Sequence, residues 1–387
     1  MDTRCNWSHN RGDPGRSGSA LSAKEEAVFS KSIACRTGLA LVALVALAIA
    51  ATTASAKPAA TNPIPALIKQ SKKESGIVVY GNPPSANFTA LVSAFNKQYP
   101  WIKVTEYDLD DNTIFSKYAS ESAQGVRSAD LLIASAPNLW VYASRKAFAD
   151  KSFTPVGLDK YPKWAKQFKG IFVMSPDPAI IVYNKLLLKG SVPTSVAQIA
   201  QNSSTYSSVT GYTADNTFGY TGLYGYVQLN GWKNLQAIGK RLKPQTGVGA
   251  QLQLLAQGGA SVAYLTSPTA RFTIANNAQY KQILDWTYVK DGTGLVPRGI
   301  MVTKHAASPA SAKLFLDWVY SNAGQQAMCD SGFTAFKPKF KPANGCTNTL
   351  ADVYAKVGVK KVYMPGFTQK FVNARPNFTS QWHGIFG

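Results

Sequence analysis

The side chains that could carry catalysis in this sequence are few, and their spacing excludes several kinds of active site. Beyond residue 56 the chain has two histidines, His305 and His383, and it contains no G-x-S-x-G, H-E-x-x-H, P-loop or G-x-G-x-x-G motif. A Ser-His-Asp triad or a histidine metal site would therefore depend on one imidazole in a polar loop or on one close to the C-terminus. We predict that the protein is not an enzyme and that it holds no cofactor and no metal ion.

An acidic cluster of Asp108, Asp110 and Asp111 comes directly after a predicted strand. It lacks the spacing and the final glutamate of an EF-hand loop, so it does not predict a calcium site. Because a run of charge usually marks an exposed surface, we interpret the three aspartates as a solvated loop.

The stretch GGASVAYLTSPTARF, residues 258–272, places polar groups at the end of a buried strand. Its apolar middle is typical of a strand, and the hydroxyls of Thr266 and Ser267 come where that strand would end. In α/β proteins the carboxyl ends of strands face the ligand, so we expect Ser267 to contact one. Arg271 and Arg298 could each bind an anion through two hydrogen bonds.

The elements that must position these groups alternate between strand and helix. Strands are predicted at GIVVYGN, WIKVTEYD and ADLLIAS, with helices between them over residues 85–99 and 114–122. Later strands are predicted at AIIVYNK, ASVAYLT and GLVPRGIMVTK, and Ser308 followed by Pro309 predicts the start of a helix. Residues 202–226 are rich in Ser, Thr, Gly and Tyr, and the sequence predicts no element for most of them. This order predicts an α/β protein with two lobes.

The first 56 residues have the features of a secretory signal peptide. Lys31 and Arg36 precede an apolar run over residues 39–51, and Ala54-Ser55-Ala56 is an A-x-A cleavage site. The apolar run is short for a membrane span of about 20 residues, which argues against an uncleaved anchor. We therefore predict cleavage after Ala56, export to the periplasm, and a leader over residues 57–75.

Export leaves two cysteines, Cys329 and Cys346, since Cys5 and Cys35 lie within the first 56 residues. Compartments outside the cytoplasm are oxidising, so we predict that the two form a disulfide. In the chain-entropy model such a bond stabilises the fold by about 3 kcal/mol.

The charge of the chain is strongly positive. Beyond residue 56 there are 35 Lys and Arg against 16 Asp and Glu, a net charge of +19. The lysines are scattered, with no basic helix or zinc-finger spacing, so nucleic acid is not predicted as a partner. A basic solvated surface and the attraction of an anionic ligand both remain open.

Several of these segments resemble those of a known family. They are GIVVYGN followed by LVSAFNKQYPWIKV, then SADLLIASAP, AIIVYNKLLL and ASPASAKLFLDWVYSNAGQQ, in this order over residues 75–340. The chain resembles the periplasmic solute-binding proteins of ABC importers with the type 2 periplasmic-binding fold. The closer match is the branch whose members bind ferric iron, thiamine, polyamines, phosphonates or sugar phosphates.

The resemblance implies an α/β fold with two lobes, each a mixed, mostly parallel sheet flanked by helices, which close on a ligand by hinge motion. Strands would cross between the lobes near residues 172–182 and 294–301, and Arg298 would lie on the second crossing. Lobe 1 would combine residues 76–174 with 297–340, and lobe 2 would combine residues 175–296 with 341–387.

The resemblance also bears on the ligand. In the iron-binding relatives an adjacent pair of tyrosines gives phenolate oxygens to Fe(III), whereas this sequence has Ser267-Pro268 at that point, so direct binding of iron is not expected. The hydroxyls there resemble those of the thiamine-binding and organophosphate-binding members. The expected ligand contacts are Gly81, Asn82, Ser135, Asn138, Ser175, Asp177, Thr217, Tyr220, Thr246, Gly247, Ser267 and Arg298.

We therefore expect a monomeric protein that captures a small polar, anionic solute, such as an organophosphate or a phosphonate, and delivers it to an ABC permease in the inner membrane. Two alternatives within the family remain open: a receptor for a ferric iron chelate, and a receptor for thiamine or a polyamine. An alternative from another class is a secreted hydrolase that acts on phosphate esters or glycans through carboxylates.

Overall fold

Two β-sheets flanked by helices make up the described part of the chain, which is residues 62–387 of a computed structural model. Ala60–Gly387 form a compact unit by themselves. The expected signal peptide, its cleavage after Ala56 and the beginning of the expected leader lie outside the described residues. The predicted α/β class with mixed sheets is confirmed. Within residues 62–387, no helix is long and apolar enough to cross a membrane.

The strands are runs rich in Val, Ile, Leu and Tyr, which pack well on a pleated surface. They are β1 (Ile77–Gly81), β2 (Val104–Asp108), β3 (Leu131–Ala134), β4 (Lys166–Phe168), β5 (Ile171–Pro178), β6 (Ile180–Asn184), β7 (Val209–Tyr212), β8 (Leu242–Gln245), β9 (Val262–Thr266), β10 (Leu284–Tyr288), β11 (Thr293–Val302) and β12 (Val362–Tyr363).

The helices mostly connect successive strands. They are α1 (Ile64–Ser71), α2 (Ser85–Gln98), α3 (Asp111–Ala123), α4 (Pro137–Arg145), α5 (Val196–Gln201), α6 (Thr217–Asn230), α7 (Lys233–Ile238), α8 (Val248–Ala256), α9 (Ala270–Asn276), α10 (Ala278–Ile283), α11 (Pro309–Val319), α12 (Asn322–Asp330), α13 (Leu350–Val357) and α14 (Gln369–Phe386). Single 3-10 turns lie at Leu158–Lys160, Lys163–Ala165, Gly239–Arg241 and Val359–Lys361.

The first sheet has the strand order β2-β1-β3-β11-β5-β4, and β12 pairs with β11. β1 is parallel to β2 and to β3, while β11 is antiparallel to β3 and to β5. The predicted β-α-β-α-β unit is therefore confirmed. Its first helix buries Phe88, Leu91 and Phe95 and ends before Pro100.

The second sheet has the strand order β10-β6-β9-β7-β8. β7 is parallel to β8 and to β9, whereas β6 is antiparallel to β9 and to β10. The chain enters this sheet between the end of β5 at Pro178 and the start of β6 at Ile180. It returns to the first sheet between Tyr288 and Thr293, just before the stretch in which the second crossing is expected.

Glycines allow α6 to lie directly against β11. A Cβ at Gly225 would lie 2.5 Å from the Cα of Gly294, and a Cβ at Gly294 would lie 2.7 Å from the carbonyl oxygen of Gly222. Only residues without a side chain permit this approach. The Gly- and Tyr-rich stretch 202–226 thus contains the strand β7 and the first part of α6, which packs against a strand of the first sheet.

The C-terminal tail contacts the cores of both sheets. In α14, Phe371, Phe378 and Trp382 are buried with residues of the second sheet. Just before this helix, the ring of Phe367 stacks on Trp140 of α4, with ring centroids 6.2 Å apart. The assignment of residues 341–387 to one lobe stays a prediction.

Cys329 and Cys346 form the predicted disulfide. Cys329 is fully buried at the end of α12, and Cys346 lies in the loop that leads to α13. In the same loop Asn344 donates from its amide to Asp330 at 2.7 Å. The bond therefore fixes this loop to the end of α12.

Removing the disulfide in a C329A/C346A variant is expected to lower the free energy of unfolding by about 3 kcal/mol, because the unfolded chain regains the entropy of an open loop. Urea unfolding without a reducing agent measures the difference. A reducing agent should lower the free energy of unfolding of the wild type to that of the variant. It should leave the free energy of unfolding of the variant unchanged. Equal midpoints for the oxidised wild type and the variant would contradict this expectation.

Candidate ligand-binding cleft

A cavity of about 630 Å³ lies at the carboxyl ends of strands from both sheets. This is the edge at which α/β proteins bind ligands, because the loops and helix starts that follow parallel strands meet there. From the first sheet the cavity is lined by residues that follow β1, β2 and β3, among them Asn82, Asp110 and Ser135. From the second sheet it is lined by residues at the ends of β7, β8 and β9, among them Tyr212, Thr246 and Ser267.

Arg298 of β11 lines the cavity and is held by a buried ion pair. Its Nε donates to Oδ2 of Asp177 on the neighbouring strand β5 at 3.1 Å, and the two side chains are 3% and 0% exposed. The hydroxyl of Ser175 donates to the same carboxylate and accepts from the N–H of Thr334 at 2.8 Å. Burial raises the pKa of Asp177, and the positive charge of Arg298 opposes that rise. The expected contacts Ser175 and Asp177 therefore support Arg298 and do not line the cavity.

The pairing of β11 with β5 is irregular next to Arg298. Arg298 pairs with Ser175 and Gly299 pairs with Val173, so the extra residue lies on β5. A Cβ at Gly299 would lie 2.2 Å from Nε1 of Trp140, so this position requires glycine. Irregular pairing of this kind is common next to binding sites.

Asn82 connects Arg298 with the neighbouring strand ends. Its Oδ1 accepts from Nη1 of Arg298 at 2.9 Å and from the N–H of Ser135 at 3.2 Å. Its amide nitrogen donates to Asp111. The hydroxyl of Ser135 lines the cavity and is buried without a hydrogen-bond partner in residues 62–387. Buried polar groups normally have partners, so this hydroxyl is available to a ligand.

A local kink positions Ser267 on the opposite wall. Leu265 has a φ of +52°, a left-handed conformation that costs a non-glycine residue about 1–2 kcal/mol. The pairing of β9 with β6 shifts at the same place. Beyond the kink Ser267 Oγ lies 2.9 Å from Thr269 Oγ1, and both residues line the cavity. Thr266 faces inward instead and donates to Gln251 at 2.7 Å.

The N-terminus of α8 opens onto the cavity without a side-chain cap. Gly247 is its N-cap, and Gly247, Val248 and Gly249 all line the cavity. The first N–H groups of a helix have no partner within it and carry a partial positive charge. At Gly247 and Gly249 nothing lies within 4 Å of where a Cβ would stand, so ligand atoms can approach the backbone closely. By contrast, α3 and α6 are capped by Asp110 and Asn216.

Aromatic rings form another part of the wall. Tyr212 and Phe218 line the cavity, with ring centroids 5.1 Å apart, next to Thr217. The expected contact Tyr220 lies elsewhere and is corrected here. Its ring stacks on Phe371 at 4.6 Å, and its hydroxyl donates to the carbonyl oxygen of Phe371 at 2.8 Å. Because both its ring and its hydroxyl are engaged in the core, Tyr220 offers nothing to the cavity.

Four carboxylates border the cavity: Asp108, Asp110, Asp111 and Asp215. Asp110 accepts from two N–H groups at the start of α3, and Asp215 lies 3.0 Å from Nε2 of His383. Burial raises the pKa of Asp111 from its usual value of 3.8 to about 6, and the Thr217 hydroxyl and the charge of Arg298 partly oppose that rise. The acidic cluster after β2 therefore borders the cavity. Asp108 and Asp110 are exposed, as the interpretation of a solvated cluster expects, and Asp111 is partly buried.

The structure brings seven of the expected contacts to the cavity. They are Asn82, Ser135, Thr217, Thr246, Gly247, Ser267 and Arg298. Ser175, Asp177 and Tyr220 have the supporting or core positions described above. The carbonyl oxygen of Gly81 accepts from the N–H of Leu109 at 2.8 Å, between the ends of β1 and β2, and Asn138 has its Oδ1 buried in the first turn of α4. The role of each residue toward a ligand stays a prediction.

Arg271 lies in the interior rather than on the surface that is usual for arginine. It is 5% exposed, its Nε donates to the carbonyl oxygen of Pro268 at 3.1 Å, and its guanidinium lies 5.1 Å from the ring of Trp286. It therefore holds the turn between Ser267 and Thr269 in place. Burial lowers the pKa of Arg271.

The lining of the cavity presents several kinds of group to a ligand: hydroxyls, backbone N–H groups, one arginine, carboxylates and two aromatic rings. In residues 62–387, no group of three or more His, Cys, Asp or Glu side chains is arranged to hold a metal ion. The arrangement is suited to holding a small polar molecule through many directed hydrogen bonds.

Comparison with known proteins places this cleft in context. The family described as bacterial extracellular solute-binding protein matches residues 90–350. The substrate-binding protein of an ABC transporter from Agrobacterium tumefaciens is 21% identical over 80% of this chain and 95% of that chain, with a TM-score of 0.68. No curated protein sequence matches significantly.

Two further solved structures are similar. The apo ferric ion-binding protein A of Pasteurella haemolytica is 14% identical, covers 80% of this chain and 97% of its own, and has a TM-score of 0.61. The periplasmic binding protein AfuA of Actinobacillus pleuropneumoniae, solved with fructose-6-phosphate, is 16% identical with coverages of 80% and 98% and a TM-score of 0.59. At these identities the likeness shows the fold, and the predicted two-lobed fold class is confirmed.

The ion pair of Arg298 and Asp177 yields a stability prediction. Arg298→Met should lower the free energy of unfolding by about 3–5 kcal/mol, because Asp177 would stay buried without its partner. The double variant D177N/R298M removes both charges and should recover roughly half of that loss or more. Urea unfolding near neutral pH compares the variants. If the loss in free energy of unfolding of D177N/R298M equals the sum of the losses of the two single variants, the two side chains do not depend on each other.

Asp111 yields a prediction on pH. Its pKa is raised from 3.8 to about 6 in the folded protein, so the folded chain binds this proton more tightly than the unfolded chain. The contribution of Asp111 to stability is therefore most favourable below about pH 4 and is lost as the pH rises to about 6.

The measurement is urea unfolding of the wild type and of Asp111→Asn between these pH values. The wild type should lose stability relative to the variant as the pH rises. Subtracting the variant removes other titrations, such as that of Glu106, whose pKa is raised to about 7 by burial and by Asp108. A difference that does not change with pH would contradict the raised pKa.

Proposed function

Because the chain belongs to the family of bacterial extracellular solute-binding proteins, we propose that it captures a small polar solute with an anionic group, such as an organophosphate or a phosphonate. It would deliver this solute to an ABC permease in the inner membrane. The observation that supports the proposal most strongly is the uncapped start of α8, which opens onto the same cavity as Arg298. Helix starts and arginines both bind phosphate-like groups through N–H donors.

The charges buried around the cavity also favour an anionic group. Arg298 lines the cavity and pairs with Asp177. Arg271 does not line the cavity, but it is buried next to the lining residues Ser267 and Thr269 and has no ion-pair partner in residues 62–387. A buried charge is costly without a counterion, so an anionic ligand would stabilise the wall that holds it.

The carboxylates on one side of the cavity restrict the class of solute further. Asp108, Asp110 and Asp111 border it from the first sheet, whereas Gly247 and Gly249 border it from the second. A molecule with a phosphate or phosphonate at one end and an ammonium or several hydroxyls at the other would match both sides. We therefore propose that the preferred solute has both kinds of group.

The same carboxylates favour a second candidate within the family. Thiamine or a polyamine would bind to Asp108, Asp111 and Asp215 through its positive charges, and the rings of Tyr212 and Phe218 would contact a cationic heterocycle. A ferric chelate is a third candidate, supported by the likeness to the ferric ion-binding protein of Pasteurella haemolytica.

Closure of the cleft would depend on contacts that the two sheets make across it. Asp111 follows β2 of the first sheet, and its carboxylate interacts with the hydroxyl of Thr217 after β7 of the second sheet. A ligand shifts a conformational equilibrium only through a difference in affinity between the two states. A solute that contacts Ser135 and Gly249 at once binds only when the two walls are close, and so would favour the closed form. We propose a monomeric, exported receptor that works in this way.

Thermal unfolding with a panel of solutes tests the proposal. The panel contains phosphate, phosphonates with and without an amine, sugar phosphates, thiamine, spermidine, ferric citrate and free Fe(III). A true ligand at a hundredfold excess over Kd should stabilise the folded chain by about 2.7 kcal/mol and raise the Tm by several degrees. If the Tm rises with thiamine, spermidine or an iron species alone, the proposed anionic solute is wrong. That compound then identifies which alternative ligand the protein binds. No shift, together with turnover of phosphate esters or glycans, would support a secreted hydrolase instead.

A pair of glycine variants locates the site. Gly249→Asp places a carboxylate at the start of α8, where a Cβ meets nothing within 4 Å, so the fold should be kept and an anionic solute repelled. Gly384→Asp makes the same change in α14, where a Cβ also meets nothing within 4 Å. We expect the first variant to lose at least about tenfold in affinity, as a close like charge costs a kcal/mol or more, and the second to bind as the wild type does. If the two variants bind the solute with equal affinity, the start of α8 does not contact the solute.

A further inference from the structure

A second charged surface lies outside the cleft, on the segment 151–170. This segment has five lysines and one acidic residue, Asp159. All five lysines are exposed, and none of them forms an ion pair within residues 62–387. Two carboxylates from outside the segment also contact it, Asp150 at Ser152 and Asp317 at Val156, and Asp150 is paired with Lys313. The five lysines remain in excess, and a surface with an excess of one sign attracts partners of the other.

Packing holds the segment in a fixed shape. The hydroxyl of Tyr161 donates to the carbonyl oxygen of Tyr320 at 2.6 Å, and the ring of Trp164 stacks on Phe336 at 5.1 Å. At its end a Cβ on Gly170 would lie 2.5 Å from the carbonyl oxygen of Asp150, so the two ends of the segment meet. The aromatic rings therefore point inward and the lysines are left at the surface.

Lys337 follows Phe336 directly and adds a further positive charge beside Trp164. We call the surface formed by Lys151, Lys160, Lys163, Lys166, Lys169 and Lys337 the lysine face. It also carries an exposed apolar side chain, since Val156 is 48% exposed.

A small cavity of about 350 Å³ opens within the lysine face. It is lined by Thr154, Leu158, Asp159, Tyr161, Pro162, Lys163 and Lys166. The ammonium groups of Lys163 and Lys166 and the hydroxyl of Thr154 would fit a phosphate group that carries a short chain, whereas the Tyr161 hydroxyl is already bonded to Tyr320. The surface thus offers both general positive charge and a place for a single headgroup.

We propose that the lysine face docks the protein onto an anionic phospholipid surface. Several exposed lysines together with an exposed apolar side chain, here Val156, favour binding to such surfaces. Trp164 is half-buried against Phe336, which leaves no free ring for the base stacking that single-stranded nucleic acid requires. Docking would hold the receptor near a membrane while its cleft remains open to the solute.

Sedimentation with lipid vesicles tests the proposal. Since Ala60–Gly387 form a compact unit, the protein used begins at Lys57. We expect it to bind vesicles of phosphatidylcholine containing roughly a third phosphatidylglycerol at about 0.1 M salt, and to be released as added salt shortens the Debye length below about 10 Å. Pure phosphatidylcholine vesicles should not bind it.

Two triple variants with the same loss of charge separate the lysine face from the overall charge. K163Q/K166Q/K169Q removes three lysines of the face, and K189Q/K233Q/K240Q removes three exposed lysines elsewhere. Each lysine near an anionic surface contributes about a fivefold gain in partition, so the first variant should bind at least tenfold more weakly. The second should bind almost as the wild type does.

Equal loss in the two triple variants would overturn the proposal, because it would assign the binding to net charge. Absence of binding to the phosphatidylglycerol vesicles would overturn it as well. Circular dichroism of both variants checks that they are folded. No solute is added at any stage, so failure here is distinguishable from failure of the proposed solute-binding function.

Discussion

The cleft depends on one buried ion pair. Arg298 and Asp177 lie on neighbouring strands, β11 and β5, and β5 ends where the chain leaves the first sheet for the second. Two charges can be held there only if their hydrogen bonds are satisfied, since removing ions from water is costly. Ser175 and Asn82 meet this requirement, and Asn82 extends the network to Asp111 and to the backbone of Ser135. The floor of the cleft and the ends of three strands are therefore fixed by the same set of bonds.

Much of the fold could be predicted because its elements carry strong local signals. The strand GIVVYGN and the helix that follows it show clear apolar periodicity and end at a proline, and the structure has them nearly as predicted. α6 could not be predicted in this way, since glycine is a poor helix former and its apolar residues surround the helix on all sides. Its glycines are explained only by the distant strand β11, against which Gly222 and Gly225 pack. This helix is stabilised by a tertiary contact with β11, which cannot be recognised from the local sequence.

In the candidate site, too, some residues could be predicted from the sequence and others could not. Asn82, Ser135 and Ser267 could be found because each follows a strand, and strand ends of an α/β sheet meet at one edge. The same rule applies to Asp108 and Asp110 after β2, but their charge suggests a solvated surface and hides their position at the cavity. Tyr212 and Phe218 line the cavity whereas Tyr220 lies in the core, and nothing in the local sequence distinguishes them. That difference arises from α14, whose Phe371 occupies the space beside Tyr220 and is far away in the sequence.

The net charge of the chain does not describe the charges around the cavity. The chain beyond residue 56 carries +19, yet the side chains around the cavity include four aspartates and a single arginine, itself paired with Asp177. Much of the positive charge lies on the outside, as on the lysine face. Within the cleft the attraction for an anion comes from the N–H groups at the start of α8 and from Arg298. The N–H groups add nothing to the net charge of the chain. Charges on the outer surface are screened within about 8 Å at physiological salt, while those in the cleft are not. The outer surface and the cleft can therefore attract different partners, a broad anionic surface on one side and a small solute with groups of both signs on the other.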